Sequence, residues 1–262
     1  MTLPDLSLVV PVHNERENLE PLVDEIDVVA RRHGWHYELL LVNDGSNDGS
    51  AEVIDTLAAA RPEVRGLHLD RNHGQSAAFA TGFAHARGQR IVTLDADGQN
   101  DPADIPALLD LLAEYDLAVG YRAERVDGRV RRAASWIANR VRDRLTGDRI
   151  IDTGCSLKAY RAAAVGDLLD YAGMHRFLPT LAKMRGLSCV EQPVRHRPRR
   201  HGRSKYGILG RARVGLADLL AVRWMLRRKL HQVVVRESGA AEPATAWRNT
   251  PRARSRGRPG AP

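Results

Sequence analysis

The chain has 262 residues, of which 43% are hydrophobic and 27% charged, and its formal net charge is +8 at pH 7. This composition predicts a globular protein and excludes a disordered one. The positive charge predicts an anionic partner, which could be a nucleotide diphosphate, a nucleic acid or an acidic membrane surface. The two cysteines, Cys155 and Cys189, lie far apart without metal-ligand spacing. They predict a reducing compartment, no disulfide framework and no zinc site.

The sequence also bears on where the protein works. The first residues lack the basic region and cleavage site of a secretory leader, so a cytoplasmic protein is expected. A spanning helix needs about 20 mostly apolar residues. The best candidate, Val214–Leu226, is interrupted by Asp218 and Arg223. We therefore expect a protein that can lie on a membrane but does not cross one.

From Leu6 to Val119 the chain alternates short β-branched runs with helical stretches, the pattern of a parallel sheet with crossover helices. The predicted strands are Leu6–Val10, Glu38–Val42, Val64–Leu69, Arg90–Leu94 and Leu117–Val119. The predicted helices are Arg16–His33, Gly49–Ala60, Gly74–Ala86 and Pro102–Glu114. Asp101 can cap the last helix, and Pro102 suits its first position.

The segment Arg129–Leu145 has an apolar stripe, with Trp136 beside it and arginines around it. This pattern predicts a helix that either packs on the core or lies at a membrane interface. The density of arginine favours the interface, because each basic side chain near an anionic surface contributes about 1 kcal/mol.

The C-terminal part begins with a predicted strand, Leu187–Val194, and a predicted helix, Ile208–Leu230, which could also bind a membrane surface. Beyond Glu237 the composition turns to Ala, Pro, Gly, Ser and Arg, which is typical of a disordered tail. We therefore expect a main domain over residues 1–206, an amphipathic helix over 207–236 and a disordered basic tail over 237–262.

Two aspartates, Asp95 and Asp97, directly follow the predicted strand Arg90–Leu94. Open α/β sheets bind ligands beyond the carboxyl ends of their strands, so both carboxylates should converge on one point there. Oxygen ligands suit Mg²⁺ or Mn²⁺, which bridge the phosphates of a substrate. The alternative is an Asx turn, because Asp-x-Asp alone is a weak pattern.

Polar residues also follow the first two predicted strands. Residues 11–15 are Pro-Val-His-Asn-Glu, and residues 43–50 are Asn-Asp-Gly-Ser-Asn-Asp-Gly-Ser. Capping and turn formation are the alternative roles for these residues, and they are compatible with ligand binding. Three strand ends with acidic or amide groups nevertheless favour a site for a nucleotide and its metal.

These motifs resemble those of the family 2 glycosyltransferases, whose fold is the GT-A type, over Ser7–Tyr206. The motifs are PVHNERENLE, VNDGSNDGS, RNHGQSAAFATGFAHARG, LDADGQNDP, VGYR, DTGCSLKAYR, HRFLPTLA and VRHRPRRHGRSKYG. The last three are similar to those of the subgroup that glycosylates polyprenyl phosphates, the dolichyl-phosphate mannose synthase-like enzymes. The resemblance implies an α/β, Rossmann-like fold with a mixed, mostly parallel sheet, flanking helices and a C-terminal amphipathic helix.

The resemblance also implies roles for residues that would hold the donor. Four positions match those that embrace the base and ribose: Pro11, His13, Glu15 and Asp44. Three match the metal and diphosphate positions: Asp95, Asp97 and Gln99. Asp97 is also expected to be catalytic. His13 stands where an aromatic ring is frequent, and Asn43 replaces the first Asp of the common DDGS motif.

On the acceptor side the resemblance implies a set of phosphate-binding residues: Arg122, Arg131, Ser135, Arg203 and Lys205. Asp152 matches an acidic residue near the acceptor and is the second expected catalytic residue. Cys155 stands where related sequences sometimes carry another acid, which leaves the identity of a base open. The arginines between Arg195 and Lys205 could steer an anionic phosphate, or they could form a solvated basic loop.

The expected function is the inverting, metal-dependent transfer of a hexose-type sugar from a GDP or UDP sugar to a polyprenyl phosphate. The expected site of action is the cytoplasmic, inner face of an anionic membrane, with a separate anchoring protein left open. The first alternative is a family 2 enzyme with a soluble sugar, glycolipid or polysaccharide acceptor. A nucleic-acid binder is the second alternative, but no recognition-helix or aromatic-rich motif favours it, so we expect no nucleic-acid partner.

Overall fold

A single mixed sheet organises the chain. The computed structural model describes residues 3–123, 140, 142–148, 150–165, 171–199 and 208–228. The strands in these residues are β1 Leu6–Val12, β2 Tyr37–Asn43, β3 Val64–His68, β4 Arg90–Thr93, β5 Leu117–Arg122, β6 Lys158–Arg161 and β7 Cys189–Val194. Their spatial order is β3-β2-β1-β4-β6-β5-β7. The order reverses beside β1, where open α/β sheets form a crevice for ligands.

Helices connect and cover these strands. They are α1 Arg16–His33, α2 Ser50–Ala60, α3 Gln75–His85, α4 Ile105–Leu111, α5 Ala162–Val165, α6 Leu178–Met184 and α7 Ile208–Arg227. Single 3₁₀ turns occupy Pro102–Asp104 and Met174–Phe177. The predicted cap of Pro102–Glu114 is confirmed, because the Asp101 side chain accepts a hydrogen bond from the Ala103 N–H at 3.0 Å.

Strands β1 to β4 pair in parallel, as predicted, whereas β6 runs antiparallel to both β4 and β5. Strand β7 returns to a parallel pairing with β5. The predicted mixed, mostly parallel sheet is therefore confirmed. Because β6 lies between β4 and β5, it brings the loop before Lys158 to the end of β4, close to Asp95 and Asp97.

Both faces of the sheet are buried, which explains the continuous apolar runs of β1 and β2. Alternate residues of β1 point to opposite faces: Leu8 packs with α1, α2 and α4, whereas Val9 packs with α3, α6 and α7. The second face includes Leu219 and Val222 of α7, which are 6% and 0% exposed. Helix α7 is therefore part of the folded core.

The predicted interface helix Arg129–Leu145 lies mostly outside the described residues, but its last turn is described. Residues 142–146 are helical, and Leu145 packs against the core face that carries α3. Arg142 is 5% exposed and lies 3.6 Å from Asp148. At this end the segment packs on the protein, and Arg142 is not available to a membrane surface. Over the described ranges, no helix has the length and apolar character needed to cross a bilayer.

Candidate active site

Hydrogen bonds join the loops that follow β1 and β2. The Asn14 N–H donates to Ser46 Oγ at 3.0 Å, and the Glu15 N–H donates to Ser50 Oγ at 3.1 Å. The Asn47 N–H donates back to Asn14 Oδ1 at 2.8 Å. Asn14 has a φ of 55°, in the left-handed region that asparagine tolerates better than most residues. These polar residues therefore hold the two loops together, which is the structural role that the sequence predicted as the alternative to ligand binding.

Helix α1 is capped by the neighbouring loop. Asp48 Oδ2 accepts from the Arg16 N–H at 3.1 Å, which satisfies one of the unpaired donors at the start of the helix. The His13 Nδ1 lies 2.9 Å from the carbonyl oxygen of Asp44. The ring of His13 therefore connects the two strand ends.

The Asp44 carboxylate extends this network to the loop that follows β3. Its Oδ1 accepts from the His73 N–H at 2.6 Å, and its Oδ2 accepts from the Gly74 N–H at 2.9 Å. The two loops approach closely at Gly45, where an added Cβ would lie 2.4 Å from the Asn72 backbone nitrogen. Asp44 is 3% exposed, and its two hydrogen bonds fix the backbone just before α3.

Asp95 and Asp97 lie together beyond β4. The Gln75 amide donates to Asp95 Oδ1 at 2.8 Å, and the Gln99 N–H donates to Asp97 Oδ1 at 3.1 Å. The second contact is the Asx turn that formed the alternative, so the turn and the paired carboxylates coexist. Burial and the nearby charge of Asp97 raise the pKa of Asp95 to about 6.

Arg199 lies against Asp97. Its Nη2 is 2.7 Å from Asp97 Oδ2, and its Nη1 is 3.3 Å from Glu15 Oε1. The guanidinium therefore bridges a predicted metal ligand and a predicted donor-binding residue. Gln99 contacts the same segment, because its side-chain nitrogen lies 3.3 Å from the carbonyl oxygen of Arg197. The role of Gln99 as a metal ligand stays a prediction.

Two further arginines of the basic segment are used for structure. Arg195 pairs with Asp101 at 3.2 Å and with Asp104 at 2.9 Å. Arg197 pairs with Glu25 at 2.6 Å and with Asp101 at 2.7 Å. These arginines, which the sequence offered for steering a phosphate, instead attach the segment after β7 to the protein.

A cleft of about 390 Å³ opens along these strand ends. Six of the predicted site residues line it: Pro11, His13, Glu15, Asp44, Asp95 and Asp97. Further lining comes from the starts of α3 and of the 3₁₀ turn before α6, and from Arg199. Gln99 is not part of the lining.

Comparison with known proteins agrees with this arrangement. The family described as "Glycosyl transferase family 2" matches residues 7–169. The chain belongs to glycosyltransferase family 2. A dodecaprenyl-phosphate galacturonate synthase from Rhizobium johnstonii is 42% identical over 237 residues, which cover 86% of this chain and 68% of that protein. An undecaprenyl-phosphate 4-deoxy-4-formamido-L-arabinose transferase from Edwardsiella ictaluri is 39% identical over 211 residues, which cover 79% and 65%.

Solved structures share the fold of this family 2 glycosyltransferase. A mannosyltransferase from Pyrobaculum calidifontis in complex with GDP-Man and Mn²⁺ has a TM-score of 0.62 at 18% identity, covering 89% of this chain and 67% of that one. A glucosyl-3-phosphoglycerate synthase from Mycobacterium tuberculosis, in complex with Mn²⁺, UDP and phosphoglyceric acid, has a TM-score of 0.65 at 17% identity, covering 87% and 80%. The predictions of family, fold and enzyme class are confirmed, as is the resemblance to polyprenyl-phosphate sugar transferases.

The dicarboxylate of the family 2 glycosyltransferase suits a divalent cation. Burial, with the nearby charge of Asp97, raises the pKa of Asp95, and a bound cation would stabilise the charged form of this carboxylate. Across the described ranges, no cluster of three or more His, Cys, Asp or Glu side chains could hold a metal. Two protein carboxylates fit Mg²⁺ or Mn²⁺, whose remaining positions are commonly filled by water and substrate phosphates.

On the acceptor side, Arg122 and Asp152 lie together. Arg122 Nε is 2.6 Å from Asp152 Oδ2, and Nη2 is 2.9 Å from Oδ1. Neither residue lines the cleft as described. Arg131, Ser135, Arg203 and Lys205 lie outside the described residues. The predicted acceptor roles therefore stay predictions.

Two neighbours of this pair are buried. Lys158 donates to the carbonyl oxygen of Cys155 and is 3% exposed, which gives it a structural role. Burial lowers the pKa of Lys158 and raises that of the Cys155 thiol. Cys155 is therefore a neutral residue in this site.

Sequence reasoning assigned no role to several residues that line the cleft. His73 and Gly74 precede α3, which begins at Gln75, and His175 and Arg176 form an opposite wall. Ser76 Oγ lies 2.7 Å from His175 Nδ1, which joins the two walls. The available signals were the RNHGQ and HRFLP motifs, which the resemblance used only as family markers.

Proposed function

We propose that this enzyme transfers a hexose-type sugar from a GDP or UDP sugar to a polyprenyl phosphate, with inversion, using Mg²⁺ or Mn²⁺. The observation that carries the proposal is the cleft. Its lining combines polar residues from the loops after β1, β2 and β3, which are suited to binding a nucleotide, with Asp95 and Asp97. The names of the relatives support the choice of acceptor. The chain spans about two thirds of the length of those relatives, so the activity is argued from its own residues.

The strand-end loops of the cleft would hold the donor. Pro11, His13, Glu15 and Asp44 lie at the ends of β1 and β2, where the base and ribose would be held. Asp95 and Asp97 would place the metal against the diphosphate. When bound, the cation would supply Lewis-acid neutralisation of the leaving nucleoside diphosphate.

The acceptor oxygen needs orientation more than it needs a base. A phosphate monoester is already anionic near neutral pH, so attack on the anomeric carbon requires no proton removal. Arginine guanidinium groups can orient such a phosphate in two-point contacts. Arg122 is the described candidate, and Arg131, Ser135, Arg203 and Lys205 are retained from the sequence. Asp152 would act by holding Arg122 in place.

Helix α7 offers a surface for an anionic membrane. Leu216, Leu220 and Trp224 are 52%, 53% and 61% exposed, and their spacing of four residues places them on one helical face. Arg223 and Arg228 flank this apolar stripe in the helical projection, and the Arg228 guanidinium lies 5.8 Å from the centre of the Trp224 ring. Apolar burial with basic neighbours is the pattern of an interfacial helix.

The same helix lies against the rim of the cleft. Asp218 is 3.9 Å from the Arg176 guanidinium, and an added Cβ on Gly173 would lie 2.4 Å from Asp218 Oδ2. Gly173 and Arg176 both line the cleft. Asp218 faces the rim, whereas the apolar stripe lies on the other side of α7, so a bilayer bound at the stripe would lie one helix diameter, roughly 10 Å, from the cleft. We propose the inner, cytoplasmic face of the membrane, with or without a separate anchoring protein.

A panel of acceptors tests the function. Purified protein with Mn²⁺ and a set of GDP and UDP sugars is supplied with undecaprenyl phosphate, with undecaprenol, or with a soluble phosphate monoester. We expect transfer to undecaprenyl phosphate alone, because undecaprenol lacks the anionic nucleophile and the soluble ester lacks the lipid. Transfer to the soluble ester at a comparable rate would favour the soluble-acceptor alternative.

A further inference from the structure

Arg199 is the third of three alternating arginines after β7, and it differs from the other two in its partners. Arg195 and Arg197 pair with carboxylates outside the cleft lining, whereas Arg199 pairs with Asp97 and Glu15, which line it. Its side chain is 27% exposed, compared with 8% for Asp97 and 10% for Glu15. The guanidinium therefore covers two acidic groups and itself faces the cleft.

A divalent cation at Asp97 would compete with this guanidinium. Asp97 Oδ1 already accepts the Gln99 N–H, and Oδ2 accepts from Arg199 Nη2. A dication and a guanidinium on one carboxylate repel each other strongly in a partly desolvated site. Binding of the metal at Asp97 therefore favours movement of Arg199 away from it.

The surrounding backbone restricts that movement to the side chain. The Arg197 N–H donates to the Gln99 carbonyl oxygen at 2.9 Å, and His196 bridges to Asn100. With the ion pairs of Arg195 and Arg197, these contacts fix the segment beside the loop that carries Asp97. A change of rotamer alone would keep Arg199 within the cleft that it lines.

We propose that Arg199 is a movable counter-cation. In the absence of metal it neutralises Asp97 and Glu15. When a divalent cation binds Asp97, Arg199 changes rotamer and donates hydrogen bonds to the donor diphosphate. A donor diphosphate bound to that metal would be within reach of Arg199, so the guanidinium would exchange its carboxylate partners for phosphate oxygens. Glu15 loses its contact with Arg199 at the same step, while its Oε2 keeps the hydrogen bond from the Asn18 amide at 2.7 Å. The second half of this proposal rests on the proposed function, whereas the first half concerns the metal alone.

Metal binding can be measured without donor, acceptor or turnover. The full chain is titrated with Mn²⁺, and free Mn²⁺ is followed by electron paramagnetic resonance. Arg199→Met is compared with Arg197→Met, which removes the same charge from the same segment but touches neither Asp97 nor Glu15. We expect Arg199→Met to bind Mn²⁺ at least about fivefold more tightly than wild type, and Arg197→Met to change little. Equal or weaker Mn²⁺ binding by Arg199→Met, relative to Arg197→Met, overturns the proposal.

A second titration addresses the diphosphate. At saturating Mn²⁺, we expect Arg199→Met to bind GDP or UDP on the order of tenfold more weakly than wild type, because a charge-assisted hydrogen bond is lost. Tighter Mn²⁺ binding with unchanged nucleotide affinity would overturn the transfer of Arg199 to the diphosphate. Neither titration depends on the acceptor, so a different acceptor would leave both results interpretable.

Discussion

Arg122 holds Asp152 through two parallel hydrogen bonds, 2.6 and 2.9 Å long, in a site where the two side chains are 17% and 9% exposed. The sequence placed these residues in separate roles, one as a phosphate ligand and one as a catalytic acid. Their pairing makes them one unit. An Asp152 carboxylate engaged in this way is well suited to orienting Arg122.

We expect Arg122→Met to lower the free energy of unfolding by about 3–5 kcal/mol, because the buried Asp152 loses a charged partner that contacts both of its oxygens. Arg122→Met combined with Asp152→Asn should lose much less than the sum of the two single changes. Urea unfolding at pH 7 measures all three. Single losses that add within about 0.5 kcal/mol would show that the pair is not coupled.

The close approach of two loops at Gly45 gives a prediction about the shape of the cleft. Gly45 has a φ of 63°, and an added Cβ would lie 2.4 Å from the backbone of Arg71 and Asn72. We expect Gly45→Ala to destabilise the protein and to weaken nucleotide binding, because the loops after β2 and β3 must separate.

Gly34 is the matched control for this change. Its φ is 61°, but nothing lies within 4 Å of an added Cβ. Gly34→Ala should cost only the left-handed backbone strain, about 1–2 kcal/mol, and should leave nucleotide affinity unchanged. Urea unfolding and nucleotide titration distinguish the two variants. Equal effects on both measurements would mean that the loop contact at Gly45 is unimportant.

The buried imidazole of His175 predicts a dependence of stability on pH. Burial, with the positive charges of Arg176 and Lys158, lowers the pKa of His175 from 6.5 to about 3. The unfolded chain therefore binds more protons than the folded one between these values, so stability is lost as the pH falls from about 6.5 towards 3. Above about pH 6.5 the His175 imidazole is neutral in both the folded and the unfolded chain, so it no longer makes stability depend on pH.

Replacement of His175 isolates this contribution. Asn keeps a hydrogen-bond acceptor for the Ser76 hydroxyl but does not titrate. The loss of unfolding free energy between pH 7 and pH 4 should be smaller in His175→Asn than in wild type. The exposed His36, changed to Asn, is the control and should leave the pH dependence as it is. A parallel pH profile for His175→Asn and wild type would contradict the prediction.

Local patterns were sufficient to predict much of the fold and part of the candidate site. The apolar runs of β1 and β2 and the periodicity of α1 are local signals. The tendency of ligand sites to lie at the carboxyl ends of strands predicts that Asp95 and Asp97 lie together. Strand β7 was predicted from Leu187 but begins at Cys189, because propensity changes gradually at the ends of elements.

Contacts between distant residues could not be derived in this way. Arg199 and Asp97 are 102 positions apart. The position of β6, which lies antiparallel between β4 and β5, determines which loops lie beside the end of β4. The pairing of Arg195 with Asp101 and Asp104 likewise depends on tertiary placement. The sequence left two roles open for these arginines, phosphate steering and a solvated basic loop, because it contained no information on their carboxylate neighbours.

Membrane attachment through α7 is tested by one charged substitution. Leu220→Glu places a charge in the exposed apolar stripe, so we expect it to abolish sedimentation with anionic liposomes at low salt. Wild type should sediment and should be released at high salt, since screening weakens surface electrostatics. Val28 is 58% exposed on α1, which covers the opposite face of the sheet, and Val28→Glu should sediment like wild type. Sedimentation of Leu220→Glu at the wild-type level would show that α7 is not the membrane-binding surface.

The mass of the lipid product tests the central claim most directly. Protein, Mn²⁺, the preferred nucleotide sugar and undecaprenyl phosphate are incubated together, and the lipid fraction is analysed by mass spectrometry. We predict that the lipid gains one sugar residue and retains its phosphate, with one nucleoside diphosphate released per product. Asp97→Asn should form no product. Release of nucleoside diphosphate with an unchanged lipid, or full activity of Asp97→Asn, would contradict the account.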